Sequence, residues 1–261
     1  MAMLAWNVRG LGIKDTVRAL KNAAFKYKAD IIFLCETKQK KRYIEKIRMK
    51  RKQKNAAFKY NAFYVEPDGI AGGLALWWSN NVKLSILRYE KNFIDTKISI
   101  SGETDWFGTF IYAPPYTEDK QKFWETLAPL RNDVNAKWCV IGDFNVVASP
   151  EEKYGGNPFD HNSAKWYYDF LDQTYLMEIP SSGGSFTWSN QQSNEEAILE
   201  KFDRVLSSLD WNFLFPKTIS IIDVAFALDH SPIILLVNGV EKKTKKEFKF
   251  ESRWLIEEEC S

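Results

Sequence analysis

The sequence predicts one large α/β domain, and three observations carry that prediction. Continuous apolar runs of strand length end abruptly on polar residues, stretches with helical spacing alternate with them, and a middle section alternates apolar with polar residues at a period of two. At 261 residues with ordinary apolar content, the chain can bury a sizeable core, and no linker divides it into two smaller units.

Composition narrows the classes further. A net charge of +2 does not by itself point to nucleic acid, so any electrostatic case rests on how the charge is distributed. The three cysteines, Cys35, Cys139 and Cys260, show no paired spacing, which suits a reduced intracellular protein with structural thiols and no disulfide framework. No run reaches the length needed to cross a bilayer, and residues 1–4 lack the basic flank of a secretory signal, so a soluble chain is expected.

Residues 3–6 form a short apolar strand ending at Asn7-Val8-Arg9-Gly10, and Val17, Leu20, Ala24 and Tyr27 then recur at helical spacing. Residues 31–35 are a continuous apolar strand that stops on Glu36-Thr37-Lys38. Residues 38–54 are densely basic with a narrow stripe of Tyr43, Ile44 and Ile47, which fits either a solvated helix or a phosphate-binding face. The heptapeptide Lys-Asn-Ala-Ala-Phe-Lys-Tyr occurs at residues 21–27 and again at 54–60. Two copies do not make a repeat architecture, so the second reads as a duplication lengthening a surface loop.

Residues 62–66, 73–78, 82–87 and 94–101 are short β-rich segments that read as an antiparallel meander. Residues 106–111 form a strand running into Tyr112, where Pro114-Pro115 enforces a loop. A helix marked by Phe123, Leu127 and Leu130 leads to the buried strand 137–142, which ends in Gly142-Asp143-Phe144-Asn145. Continued extended geometry would put Asp143 and Asn145 on one face and Phe144 in the core, while the same residues also suit a simple turn. After Gly155-Gly156, Trp166, Phe170 and Leu171 mark another helix, and residues 181–189 read as a turn and a short aromatic strand. Residues 197–206 fit helix or strand and carry Asp203-Arg204. Strands at 219–225 and 233–237 bracket Leu228-Asp229-His230-Ser231-Pro232. Beyond Val237 the Lys/Glu-rich tail has little periodicity and reads as a linker cut short, giving a domain at 1–238 and a tail at 239–261.

Six strand ends thus carry residues suited to phosphate chemistry: Asn7, Glu36, Tyr112, the Asp143/Asn145 pair, Asp203, and the Asp229/His230 pair. In this order they resemble the endonuclease/exonuclease/phosphatase superfamily, which includes deoxyribonuclease I and the abasic-site endonucleases. Trp6-Asn7-Val8-Arg9-Gly10-Leu11-Gly12, Glu36-Thr37-Lys38, Gly72-Gly73-Leu74-Ala75-Leu76-Trp77, Ile141-Gly142-Asp143-Phe144-Asn145 and Phe186-Thr187-Trp188-Ser189 look most like the endonuclease domain of plant non-LTR (LINE-type) retrotransposon polyproteins.

The resemblance implies a four-layer α/β (α+β) sandwich of the DNase I type: two mixed β-sheets packed face to face, helices on the outer faces, and one active site at an edge. It implies Mg²⁺, with Mn²⁺ able to substitute, held by Glu36 and Asn7 with Asp229 near the metal, in line with a hard cation's preference for oxygen. Asp143 would activate water, Asn145 would fix the phosphate and that carboxylate, His230 oriented by Asp203 would donate to a phosphate oxygen, and Tyr112 would be a further phosphate ligand. Arg9, Lys38, Thr187 and Trp188 would touch the substrate. The expected activity is nicking of DNA by a monomer acting in the nucleus. Residues 248–255 look like the segment leading to a reverse transcriptase domain in such polyproteins.

Three features depart from the pattern, one of them the duplication at residues 54–61, which would distort a nearby loop. Leu228 stands where the family usually has Ser before Asp-His, removing a hydroxyl from the rim. Arg9 replaces the acidic residue of abasic endonucleases but fits the retrotransposon group. Competing readings are a phosphatase of the same superfamily acting on a small phosphoester, and an inactive retroelement remnant that only binds nucleic acid. The basic stretch and the tryptophans at 77, 78 and 188, read as exposed, suit a polyanion with stackable bases better than a small phosphoester. His161, in a polar loop, reads as a surface residue.

Overall fold

A computed structural model describes residues 1–49, 60–69, 71–100, 104–133, 135–223 and 228–239. In chain order the first half comprises β1 (Ala2–Asn7), α1 (Lys14–Tyr27), β2 (Ile31–Cys35), α2 (Lys41–Met49), β3 (Tyr60–Val65), β4 (Leu74–Ser79), β5 (Val82–Glu90), β6 (Phe93–Ile100), β7 (Trp106–Tyr112) and α3 (Thr117–Leu127). The second comprises β8 (Trp138–Asp143), β9 (Lys153–Tyr154), α4 (Lys165–Thr174), β10 (Met177–Glu178), β11 (Ser181–Ser182), β12 (Trp188–Ser189), β13 (Leu199–Glu200), β14 (Asp203–Ser207), α5 (Leu209–Leu214), β15 (Ile219–Ile222) and β16 (Ile233–Leu236).

The strands form a seven-stranded mixed sheet in the order β11-β15-β16-β1-β2-β4-β3 and a six-stranded one in the order β10-β14-β8-β7-β6-β5, with a small sheet of β12, β13 and β9 beside them. The two-residue strand period decides what lies on each face. Met3 and Ala5 of β1, Phe33 of β2, Leu76 of β4, Phe110 of β7 and Ile141 of β8 meet in the core between the two large sheets. Their neighbours in sequence point outward and are buried too: Leu4, Ile32, Ala75 and Trp77 under α1 and α2, and Ile111 and Val140 under α3 and α4. The result is four layers, and it explains why β1, β2 and β8 read as unbroken apolar runs: strands covered on both faces show no polar alternation.

Several expectations change. The predicted meander is split: β3 pairs with β4 in the larger sheet, β5 pairs with β6 in the smaller, and the chain crosses between sheets at Asn80-Asn81. Strand composition does not distinguish one antiparallel sheet from two hairpins facing each other. Trp77 and Trp78 are not exposed stacking surfaces. Trp77 is buried under the α1/α2 layer and Trp78 packs against the inter-sheet core. The ambiguous stretch 197–206 holds two short strand pieces, β13 and β14, and no helix. The basic helix spans Lys41–Met49, with Ile44 and Ile47 buried and Tyr43 exposed. The second heptapeptide up to residue 59, Lys50 to Lys54 of the basic stretch, residues 224–225 of the predicted strand, Cys260 and the tail from 240 lie outside the described residues. Cys35 and Cys139 are buried free thiols. Among the described residues no helix is long and apolar enough to cross a membrane.

Candidate active site

Counting by twos along the strands carries the inter-sheet face to its polar edge. After Met3 and Ala5 comes Asn7; after Cys139 and Ile141 comes Asp143; Tyr112 follows Phe110, and Asp203 lies two residues before Val205. The strand register then lines these up. Tyr112 of β7 is the partner of Asp143 in β8, and Asp143 is the partner of Asp203 in β14, so three polar side chains form a row across the smaller sheet. Asn7 tops the facing strand of the larger sheet, beside Cys35, and Glu36 follows Cys35. One amide joins the two sheets: Asn7 Nδ2 donates to Glu36 Oε1 at 3.0 Å and to Asp143 Oδ2 at 2.8 Å.

The backbone at this edge is tightly specified. A Cβ at Gly142, φ 144°, would lie 2.1 Å from the Ile111 carbonyl oxygen of the parallel neighbour β7, so only glycine lets the two strands run together to Asp143. Arg9, Glu36, Lys38 and Asn145 all take left-handed backbone. Such strain in non-glycine residues persists where surrounding contacts impose it. Here the Thr37 and Lys38 N–H groups donate to the carbonyls of Gly73 and Gly72, and buried Lys120 of α3 donates to the Asn145 carbonyl at 2.7 Å. On the other side, His230 is held by its backbone: its carbonyl accepts from Trp6 Nε1 at 2.9 Å, and the flanking Asp229 carbonyl and Ser231 N–H pair with Ser189 and Thr187.

Charge is concentrated and unequal. Asp143, Asp203 and His230 are at most 1% exposed, and their potential ligand atoms lie within 4.8 Å of one another. His230 Nδ1 donates to Asp203 Oδ2 at 3.0 Å, because the carboxylate can only accept. Burial and the opposed Asp203 charge push the Asp143 carboxyl up to about 6, against the pull of His230 and the Asn7 amide. For His230, burial pushes down, but Asp203 above all, with Asp143 and Asp229, outweighs it and raises the imidazole to about 9, so it is an imidazolium at neutral pH. Glu36 is also pushed up by burial, yet hydrogen bonds from Lys38, Asn7 and Tyr112 hold it below the usual carboxylate range.

Two donor sets offer themselves to a divalent cation. The buried Asp143, Asp203 and His230 set is compact, but Asp203 and His230 satisfy each other, and a hard cation prefers oxygen ligands and retained water. Glu36 and Asp229 are more open, with side chains 12% and 20% exposed, and already attract cations. Lys38 Nζ lies 2.8 Å from Glu36 Oε2, while Arg9 Nε lies 2.8 Å from Asp229 Oδ2 and 3.9 Å from Glu36 Oε1. An all-oxygen set reachable from solvent, whose carboxylates are now matched by Lys38 and Arg9, fits a magnesium-like ion better, the ion taking the place of those side-chain cations.

The structure therefore brings together two hydrogen-bonded groups, Asn7, Glu36, Tyr112 and Asp143 on one side and Asp203 with His230 on the other, set side by side by the pairing of Asp143 with Asp203, with Arg9, Lys38 and Asp229 at the rim. Three expectations are revised. Asn145 does not continue the strand. At φ 46° it turns back, its N–H donating to Asp143 Oδ1 at 2.8 Å and its side-chain amide to the Ala113 carbonyl. Thr187 does not face a substrate. It is 1% exposed, and its hydroxyl accepts from the N–H groups of Phe202 and Asp203, which makes it a positioning residue for the Asp203 strand. The Tyr112 hydroxyl is committed to Glu36 Oε1 at 2.9 Å and is not free for phosphate in this state. Trp188 is half-buried against Phe202. Lys120 was missed, although its phase with Phe123 and Leu127 puts a lysine on the apolar face of a helix, which was a usable signal.

A model of the Endonuclease/Exonuclease/phosphatase family matches residues 4–230. No curated protein sequence matches. Among solved structures, the chain is similar to the endonuclease domain of TRAS1, a telomere-specific non-LTR retrotransposon, with 13% identity over 92% of this chain and 99% of that one and a TM-score of 0.66. It is also similar to the catalytic domain of APE2 from Xenopus laevis (16% identity, 91% and 92% covered, TM-score 0.63). The 3′ phosphatase NExo from Neisseria, bound to a product DNA hairpin, is a third such structure (16% identity, 91% and 99% covered, TM-score 0.63). Identities of this size speak to the fold: two mixed sheets face to face between helices, the DNase I-like sandwich. Since the family pattern runs from the first strand to the His230 loop and takes in every residue that shapes this edge, the chain belongs to the Endonuclease/Exonuclease/phosphatase family.

Proposed function

We propose that this chain is a divalent-metal-dependent endonuclease that nicks DNA by phosphodiester hydrolysis and that it derives from a non-LTR retroelement. The observation that carries the reading is the pairing of unlike groups at one edge: an ionised Glu36 and a buried Asp143 joined by Asn7, with a charged His230 close by. Asp143 takes the proton of the attacking water, since a carboxyl near 6 is ionised at neutral pH yet more basic than a free aspartate. The N–H of Asn145 and the amide of Asn7 hold both its oxygens in place for that transfer. His230 donates from Nε2 to a phosphate oxygen as charge builds there, while Asp203 on Nδ1 fixes the ring and keeps it protonated. Glu36 and Asp229 would hold the divalent ion, which when bound would supply Lewis-acid stabilisation of the phosphate charge. Arg9, Lys38 and the basic face of α2 suit the flanking phosphates of a long polyanion better than a single small phosphoester. Likeness to the TRAS1 endonuclease domain supports a retroelement origin, and the DNA-bound neighbour supports a DNA substrate.

The test is nicking of supercoiled plasmid. Wild-type protein with Mg²⁺ is expected to convert it to open circles, EDTA to abolish the reaction, and Glu36→Gln to raise the Mg²⁺ needed for half-maximal rate by about tenfold or more. Turnover of a soluble phosphoester without nicking would replace the endonuclease by a phosphatase. Metal-independent DNA binding without cleavage would leave an inactive remnant.

A further inference from the structure

A cavity of about 410 Å³ opens beside the acid pair, and none of the roles above uses it. Val8, Ile13, Trp188 and Leu228 form its apolar walls, while Arg9 and Asp229 belong both to it and to the reacting edge. Whatever fills it is therefore continuous with a group bound at Glu36 and Asp229. Its volume lies in the range of small-molecule sites.

Two buried donors at this cavity have no acceptor among the described residues. Thr16, in the first turn of α1, is 0% exposed with an unpartnered hydroxyl, and the Trp188 indole N–H is likewise buried and unpaired. Nor is the start of α1 closed off, because Ile13 at its N-cap position offers no side-chain acceptor to the free N–H groups there. Buried donors left unpaired are costly, and their meeting at one cavity points to a ligand that brings acceptor oxygens or nitrogens together with an apolar, stackable surface. Leu228 completes the wall and is fixed by its carbonyl, which accepts from Gln191 Nε2 at 2.9 Å. A serine at this position would offer a hydroxyl here in place of apolar contact.

We infer that this cavity is a subsite for one nucleotide of the DNA strand next to the cut bond, its base lying against Trp188 and Leu228 and one of its acceptor atoms taking the Thr16 hydroxyl. The subsite selects the base at that position. This inference rests on the endonuclease reading, and two measurements separate the two. In the first, cut sites on a plasmid of mixed sequence are mapped and each variant's base preferences are normalised to its own total nicking. Wild type is expected to prefer one base at one position beside the cut, and Leu228→Ser and Thr16→Val to weaken that preference about tenfold, with Thr16→Ser retaining it. In the second, binding of short duplexes varied at single positions is measured by fluorescence anisotropy in EDTA, alongside the melting temperature of each free protein. Thr16→Val is expected to weaken binding of the preferred duplex while raising the melting temperature by about 2–4 °C, because it deletes an unpaired buried hydroxyl without changing volume. If wild type nicks and both variants keep its preference, the subsite is wrong and the endonuclease stands. If wild type does not nick but Thr16→Val still lowers base-dependent binding, the subsite stands and the cleavage reading falls. Binding that neither variant alters overturns the subsite whatever the nicking result.

Discussion

Asp203 and Arg204 are consecutive residues of β14, and the strand period sends them to opposite faces. Asp203 enters the inter-sheet face with Asp143 and His230. Arg204 enters the helix-covered face, where its terminal nitrogens reach Glu152, Glu178 and the carbonyls of Val146 and Lys201. Both groups are centred on a buried side chain and both hold two carboxylates, yet they behave differently. Around Arg204 two acids meet two cations, since Lys201 also pairs with Glu152 and Glu178, and Arg204 outweighs the effect of burial to hold Glu152 below the usual carboxylate range. Around Asp203 two acids share one imidazolium, and Asp143 is pushed up to about 6. What separates a structural charge cluster from a reactive one here is the ratio of partners together with burial, since Glu152 and Glu178 keep 14% and 26% of their side chains exposed while Asp143 and Asp203 are at most 1% exposed.

That contrast predicts opposite responses to single substitutions. Asp143→Asn is expected to lower the nicking rate by about 10³-fold or more, since it removes the base, while leaving the melting temperature unchanged or higher because a repelling buried carboxylate is gone. A nicking rate within tenfold of wild type would remove Asp143 from the mechanism. Arg204→Ala reverses the pattern. It leaves two carboxylates to share Lys201 alone beside an apolar layer and is expected to cost about 3 kcal/mol of stability, seen as a lower midpoint in urea, and a loss under about 1 kcal/mol would show the cluster to be dispensable.

Asp203→Asn sharpens the comparison through pH. Asp143 works ionised, above about 6, and His230 works protonated, below about 9, so the wild-type pH–rate profile has a plateau between those values. The Asp203 charge raises both groups, so its removal is expected to move both limbs toward acid. A high-pH limb that stays near 9 would mean that Asp203 does not set the charge of His230. The smallest effect is expected at Lys120→Met, which frees the Asn145 carbonyl but leaves Asp143 and its partners. A drop of roughly tenfold or less in nicking, from the loss of one buried hydrogen bond to a charged donor, is expected in a kinetic assay at fixed Mg²⁺.

Much of this site was legible residue by residue. Each polar strand end in the smaller sheet and at β1 could be found from where an apolar run stops, because strands buried on both faces must switch to polar residues where they reach water. The turn at Asn145 and the burial of Thr187 were left undecided by the sequence for the same physical reason. Both depend on which backbone groups lie across from these residues, and single-chain spacing does not carry that. Lys120 and Arg204 were legible only in part. A lysine in apolar phase and an arginine alternating with an aspartate signal buried charge but do not name its partner.

The sequence by itself determined the class of the fold, the places where strands end, and the chemical kinds of side chain delivered there, since these follow from local period and from the solubility of each residue. The tertiary structure alone decided that the middle hairpins fall into different sheets, that Asn7 spans the two sheets to join Glu36 to Asp143, and that Leu228 walls a cavity beside the site. Those are matters of register and of approach between segments more than a hundred residues apart. They are settled by how two sheets pack, which the local period of the chain does not encode.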